Sequence, residues 1–158
     1  MTPISLIGES CDNIDYVYTN DTSKPAPLLK AKKTYEIKNE CAIIGGGEKA
    51  IPAVSISTDC ALVVPDRLGG WPVVSVADYA FYTCNYIPSI VLPNTVTNIG
   101  SSSFHSCFRL ESLLIPNGVV EIGDSAFAGC ENFVSIKLPS GLTLIRNYLF
   151  CGCRKLKV

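Results

Sequence analysis

The sequence predicts a solenoid built mostly of β-structure, and three regular spacings support this. Phenylalanines recur at a step of 23 residues: Phe81, Phe104, Phe127 and Phe150. A cysteine follows each of them at the same distance: Cys84, Cys107, Cys130 and Cys153. Prolines keep the same interval: Pro93, Pro116 and Pro139. A fixed period in the twenties is typical of short coils stacked on one another.

Composition and charge narrow the class of protein. The chain has 158 residues, 47% of them hydrophobic and 17% charged, with a net charge of -1. These values indicate one globular domain and argue against nucleic acid as the main partner. Residues 59–131 hold seven acids and two bases, whereas 132–158 hold five bases and no acid. No apolar run reaches the roughly 20 residues of a membrane span, and the first residues do not resemble a secretory signal.

The N-terminal part divides into two segments. Residues 1–32 lack a period and contain Pro25-Ala26-Pro27, so we expect an arm or linker, either mobile or laid along the solenoid. In residues 33–64, Tyr35 and Ile37 alternate with polar residues, which predicts a β cap over the first coil. The glycines at 45–47 are not followed by the Lys-Ser/Thr pair of a phosphate loop, so we expect a turn there.

Residues 65–158 form about four repeats, the last of which stops in mid-repeat. Aliphatic residues recur in columns that predict a continuous core, two of which are Val73, Val96, Val119, Leu142 and Val76, Ile99, Ile122, Ile145. Each repeat has a front strand that ends before its proline, which cannot donate to a strand ladder. The segment from Ile122 to Phe127 is too short for a long helix, so we expect a short strand or one helical turn there.

The positions of the eight cysteines argue against a disulfide framework. Four of them share one position in successive repeats, so their thiols point the same way on coils about 4.8 Å apart. That arrangement does not give the dihedral angle of a disulfide, and we interpret them as small buried hydrophobic residues. The other four have no assignment from sequence: Cys11, Cys41, Cys60 and Cys151. Cys151-Gly152-Cys153 lacks a second ligand pair at suitable spacing, which argues against zinc.

Two motifs make the chain resemble a known family. Residues 133–139 follow the pattern Leu-x-x-Ile-x-Leu-Pro with Phe133 first, and residues 119–130 read Val-x-x-Ile-Gly-x-x-Ala-Phe-x-x-Cys. Both resemble the BspA-like, Treponema-type 23-residue leucine-rich repeat. The resemblance implies a curved right-handed leucine-rich-repeat solenoid with a parallel sheet on its concave face. Pro88 within a strand, and 146–149 in place of glycine and small residues, predict two less regular coils.

The resemblance also implies recognition of a protein rather than catalysis. Family members are commonly surface or secreted proteins that bind host or matrix proteins, which suggests the same partners and location here. Outward positions on the front strands are the candidate site: Val63, Ser89, Val91, Ser112, Leu114, Ser135 and Lys137. Stacked aliphatic side chains there indicate partner binding. The alternative is that β-branched residues simply suit strands.

The C-terminal coil suggests a second function. Four apolar residues are expected at an open edge: Leu149, Phe150, Leu156 and Val158. Open edges pair, so self-assembly into a filament or an end-to-end oligomer is the alternative function.

Catalysis has little support, because the single histidine, His105, belongs to no recognised motif. We therefore expect no enzyme activity, no cofactor and no metal.

Overall fold

A computed structural model describes residues 4–6, 17–19, 35–39, 41–45, 62–68, 70–85 and 87–157. Within these ranges the regular structure consists of strands. They are β1 (Ile4–Leu6), β2 (Val17–Thr19), β3 (Tyr35–Lys38), β4 (Cys41–Ile44), β5 (Leu62–Val63), β6 (Arg67–Leu68), β7 (Trp71–Val76), β8 (Ser89–Val91), β9 (Asn98–Ile99), β10 (Ser112–Leu114) and β11 (Glu121–Ile122). Val158, Cys11 and Cys60 lie outside the described residues.

The front sheet contains one strand from each of the first three coils. Its order is β10-β8-β5-β1-β2, and all neighbours are parallel except β1 and β2. Leu114 lies beside Val91, and Val91 lies beside Val63. Because neighbouring strands belong to successive coils and are paired in register, residues of one column stand side by side along the stack.

A second sheet follows the return legs, in the order β11-β9-β7-β4-β3. Ser75 pairs with Asn98, and Asn98 pairs with Glu121, in parallel register. The return legs of the second and third coils are therefore short strands. In the segment from Ile122 to Phe127, the strand ends at Ile122 and residues 124–127 form a turn. The hairpin of β3 and β4 extends this sheet, and β1 with β2 extends the front sheet. Segments from both N-terminal regions thus continue the two sheets of the solenoid.

Stacked phenylalanines form the centre of the core. Their ring centroids are 5.0 Å apart for Phe81 and Phe104, 5.6 Å for Phe104 and Phe127, and 5.7 Å for Phe127 and Phe150. Neighbouring planes differ by only 5° to 13°. The same side chain therefore occupies the same place in all four coils, which confirms the predicted repeat. Each such pair adds about 0.5–1.5 kcal/mol beyond burial.

The repeated cysteines form a ladder of free thiols beside these rings. Cys107 Sγ donates to the carbonyl oxygen of Phe81 at 3.0 Å, and Cys130 Sγ donates to that of Phe104 at 3.1 Å. Cys84, Cys107 and Cys130 are buried, and burial raises the pKa of Cys84 to about 12. A buried thiol of raised pKa, such as that of Cys84, is a poor nucleophile. The interpretation as small buried residues is confirmed for Cys84, Cys107 and Cys130, whereas Cys153 is half-buried.

Glycine lets successive return legs approach closely. A Cβ placed on Gly100 would lie 2.5 Å from the backbone nitrogen of Asp78, and one on Gly123 would lie 2.4 Å from that of Ser101. Arg146 occupies the same column in the fourth coil. Since a side chain there cannot fit as closely, residues 142–146 form no strand.

One predicted core position is wrong in this less closely packed coil. Ile145 was expected in a buried column, but it is 56% exposed. The fourth coil is thus less regular, as predicted from its departure from the repeat pattern.

Pro88, by contrast, lies immediately before β8 and leaves that strand paired on both sides. The expected irregularity of the second coil is therefore wrong at this strand.

Candidate functional site

The outward face of the front sheet carries a stripe of aliphatic side chains. Alternation along each strand turns Ile90 and Leu113 inward, where they are 1% and 5% exposed. Their neighbours point out: Val63 is half-buried, Val91 is 39% exposed and Leu114 is 64% exposed. Because the strands are parallel and in register, these three residues form one continuous row, which we call the aliphatic stripe (Val63, Val91, Leu114).

A row of serines runs beside the aliphatic stripe. Ser112 pairs with Ser89 in register, and Ser135 follows one repeat later. Ser89 is half-buried, whereas Ser112 and Ser135 are exposed. Small side chains here leave the neighbouring aliphatic residues accessible to a partner from one side.

The fourth coil does not continue the front sheet. Residues 134–138 form no strand, although the sequence predicts one. Val134 N donates to the carbonyl oxygen of Glu111 at 3.3 Å, so the segment stays beside the third coil at its start. Lys137 is exposed and follows Leu114 in the same column. Five of the predicted outward positions are therefore brought to one face, whereas Ser135 and Lys137 are exposed but lie outside the strand ladder.

A pocket opens at the ends of the second and third front strands, where Lys137 of the fourth coil completes its lining. Its volume is about 210 Å³, and its lining combines aliphatic residues such as Leu114 and Ile115 with the polar residues Asn94, Asn117 and Lys137. The sequence reasoning missed this pocket. The available signal was the column that places Asn117 one repeat after Asn94, just beyond the prolines that end the front strands.

Comparison with known families decides the identity of the repeat. Residues 72–158 match, in six copies, the family model described as the BspA type leucine rich repeat region. That match covers more than half of the 158 residues. The chain belongs to the BspA-type leucine-rich repeat family. The predicted family and the leucine-rich-repeat fold are both confirmed.

Solved structures of bacterial leucine-rich repeat proteins resemble this BspA-type chain. A leucine rich cell surface protein from Faecalibacterium prausnitzii A2-165 is 28% identical, with a TM-score of 0.67, over 78% of this chain and 30% of that one. The T. pallidum leucine rich repeat protein is 26% identical, with a TM-score of 0.58, over 84% of this chain and 69% of that one. The chain thus spans less than a third of the F. prausnitzii protein. A comparison with curated proteins gives no match.

The predicted edge residues of the BspA-type repeat are less exposed than expected. Leu149 is only 2% exposed, which corrects its assignment to an open edge. It occupies the column of Ala80 and Ala126, which faces the core in every coil. Phe150 and Leu156 are partly buried against the core. Three apolar residues in the second half of the fourth coil face solvent and were missed by sequence reasoning: Leu144, Ile145 and Tyr148.

His105 lies in the turn between the two sheets and contacts two neighbours. Its Nδ1 is 2.8 Å from Ser106 Oγ, and its ring stacks on Tyr82 with centroids 5.2 Å apart. Among the described residues, no carboxylate hydrogen-bonds to this ring. The histidine and serine therefore lack the third group that orients the imidazole in an acyl-transfer triad. In the same part of the chain, no group of three or more His, Cys, Asp or Glu residues could hold a metal ion.

Among the described residues there is no helix long and apolar enough to cross a bilayer.

Proposed function

We propose that this chain is a non-catalytic module that binds a protein partner through the outward face of its front sheet. The aliphatic stripe is the observation that carries the proposal. Two of its members are 39% and 64% exposed on neighbouring strands held in register. Single exposed aliphatic residues are common on protein surfaces, but an ordered row on a sheet forms a contiguous patch. Such patches mark interaction surfaces, and the leucine-rich repeat family supports protein interaction in general.

The expected energy of binding is concentrated in few side chains. Complete burial of a valine or leucine side chain contributes about 1.5–3 kcal/mol. Leu114 has the larger accessible fraction, and it lies at the centre of the proposed face, between Val91 and Lys137. Interfaces usually depend on such central side chains, while the rim excludes water. The serine row is expected to act as part of that rim.

A double substitution tests this function. Val91→Glu with Leu114→Glu places two carboxylates on the proposed face, and burying them on binding is unfavourable. The experiment uses immobilised full chain to capture partners from a panel of purified host and matrix proteins. We expect the double variant to lose capture while its circular dichroism spectrum is unchanged.

The matched control for this experiment is Val120→Glu. Val120 is 55% exposed but lies outside the front sheet. Its substitution adds a carboxylate to the surface without touching the proposed face, so capture should be retained. Equal capture by the wild-type chain and the double variant would contradict the proposal.

We place the protein at the cell surface, with a host or matrix protein as partner. The similar F. prausnitzii protein is described as a cell surface protein, which supports this location. Surface biotinylation of intact cells that produce the chain tests it. Labelling of the chain together with surface markers is expected, and labelling only after lysis would contradict the location.

Self-association through the fourth coil is a second candidate function. It is favoured by three exposed apolar side chains, with Leu144 and Ile145 each 56% exposed and Tyr148 74% exposed. Light scattering across a concentration series tests this candidate. Growth of the mean mass with concentration, reduced by Leu144→Glu, is expected. A strict monomer at every concentration would exclude it.

A further inference from the structure

The pocket lies at the ends of the second and third front strands, and Lys137 of the fourth coil completes its lining beside a local loss of strand pairing. In the first three coils, β5, β8 and β10 are joined by a continuous parallel ladder. Between β10 and residues 135–138, all of them described, no backbone hydrogen bond is formed. The two segments therefore separate at the end of the aliphatic stripe. Leu114 belongs both to the stripe and to the pocket wall, so the two features are continuous.

The polar groups that line this pocket include a positive charge but no negative one. Its inner wall is aliphatic, and its polar residues are Asn94, Asn117 and Lys137. These side chains supply two amides and one ammonium group, while the lining contains no carboxylate. Among the described residues Lys137 makes no ion pair, in contrast to Arg146 and Arg154, which pair with Glu121 and Glu131. The rim of the apolar cavity therefore carries the positive charge of Lys137, which no described acidic residue pairs with.

The size of the pocket limits what fits inside it. Pockets for drug-sized ligands are commonly about 300–1,000 Å³, and this one is about 210 Å³. It is therefore better suited to one side chain than to a complete small molecule. Its position at the end of the aliphatic stripe favours a side chain from a segment that already lies along the front sheet.

We propose that the pocket takes an aliphatic side chain of an extended partner segment, with a following Asp or Glu carboxylate against Lys137. This inference rests on the proposed function, because it specifies the chemistry of the segment bound by the same face. Charge complementarity supports the acidic residue, since Lys137 is the only charged residue in the lining and makes no ion pair among the described residues. The aliphatic residue is selected by the cavity, and the acidic residue by its rim.

Short capped peptides provide a direct probe. The first is acetyl-Ser-Gly-Ile-Asp-Gly-Ser-amide, and the others have Asn or Lys in place of Asp. A fourth peptide ends in Ile with a free carboxylate. Titration into isotopically labelled full chain should shift the backbone resonances of Leu114 and Asn117. The Asp peptide should bind about fivefold more tightly than the Asn peptide, as expected for one exposed ion pair.

Matched variants separate the pocket from its surroundings. Leu114→Ser should weaken binding of the Asp peptide about tenfold, as for a central interface side chain, whereas Val120→Ser should not change it. Lys137→Gln should remove the preference for Asp over Asn, while Lys157→Gln, in the same basic region, should retain it. Unchanged far-ultraviolet spectra establish that the variants are folded.

Three results would overturn the inference: no saturable shift at the pocket, equal binding of the Asp and Lys peptides, or binding of the free-carboxylate peptide alone. None of these affects capture of a protein partner by the aliphatic stripe. If the Val91→Glu and Leu114→Glu double variant loses partner capture while Lys137→Gln has no effect on peptide preference, the proposed function holds and only this inference fails.

Discussion

At the scale of single residues, the repeat shows which positions are optimised and which are not. Ser103 occupies the same column as Ala80 and Ala126 and is fully buried. Its hydroxyl oxygen has no hydrogen-bond partner, because the side chains of the core are apolar. A buried hydroxyl without a partner retains the cost of its lost hydration. The two alanines in the same column show that the site accepts a side chain without this group.

Removing that hydroxyl should stabilise the protein. Ser103→Ala is expected to raise the free energy of unfolding by about 1 kcal/mol, because it removes an unsatisfied polar group without leaving a large cavity. Urea denaturation followed by circular dichroism measures the change. The control is Ser112→Ala on the exposed front face, which should change stability by less than about 0.5 kcal/mol. Destabilisation by Ser103→Ala would contradict the assignment.

The buried thiols predict how stability depends on alkaline pH. The Cys84 thiol has a pKa of about 12 in the folded chain because of desolvation, against an ordinary value of 9.0. Above pH 9, ionisation of this thiol stabilises the unfolded state. In the folded state the thiol does not ionise until about pH 12. Each unit of pH in this window should therefore lower stability by about 1.4 kcal/mol for this thiol.

A substitution isolates this contribution from those of tyrosine and lysine. Cys84→Ala should reduce the slope of unfolding free energy against pH between pH 9 and 11, whatever its effect on absolute stability. The slope is measured by urea denaturation at several pH values. An identical slope in the wild-type chain and the variant would show that Cys84 ionises equally in both states.

At the scale of elements, close contact between return legs depends on glycine. The backbone of Gly123 lies against that of Ser101 so closely that an added Cβ would be 2.4 Å from the latter's nitrogen. Gly118 differs, because the nearest atom to its added Cβ would be the carbonyl oxygen of Asn94, at 3.6 Å. The two glycines thus belong to the same coil but meet different constraints. One is required by packing, and the other lies in a turn with more room.

This difference gives a matched pair of variants. Gly123→Ala should destabilise the chain by about 1–3 kcal/mol, because the coils must move apart. Gly118→Ala should change stability by less than about 1 kcal/mol. Thermal or urea unfolding of both variants measures these effects. Equal losses in the two variants would contradict the view that return-leg spacing is set by the glycine column.

At the scale of the whole molecule, the repeat explains what could be predicted from sequence. A step of 23 residues placed Phe104 on Phe81 and Cys107 beside Cys84, and the ladders in the core have this arrangement. The outward positions followed from strand alternation. Leu149 was assigned to an open edge although its column, with Ala80 and Ala126, faces the core. Ile145 was misplaced because a column describes the average coil, whereas its exposure depends on packing within the fourth coil. The pocket was missed for the same reason.

The central claim is that a partner protein contacts the front sheet. Methyl-resolved nuclear magnetic resonance of the labelled chain, with and without a captured partner at saturation, tests it most directly. The claim predicts that the largest chemical-shift changes occur at the methyl groups of Val91 and Leu114, with Val120 nearly unaffected. Changes concentrated instead at Leu144 and Ile145, with Val91 and Leu114 unmoved, would contradict it.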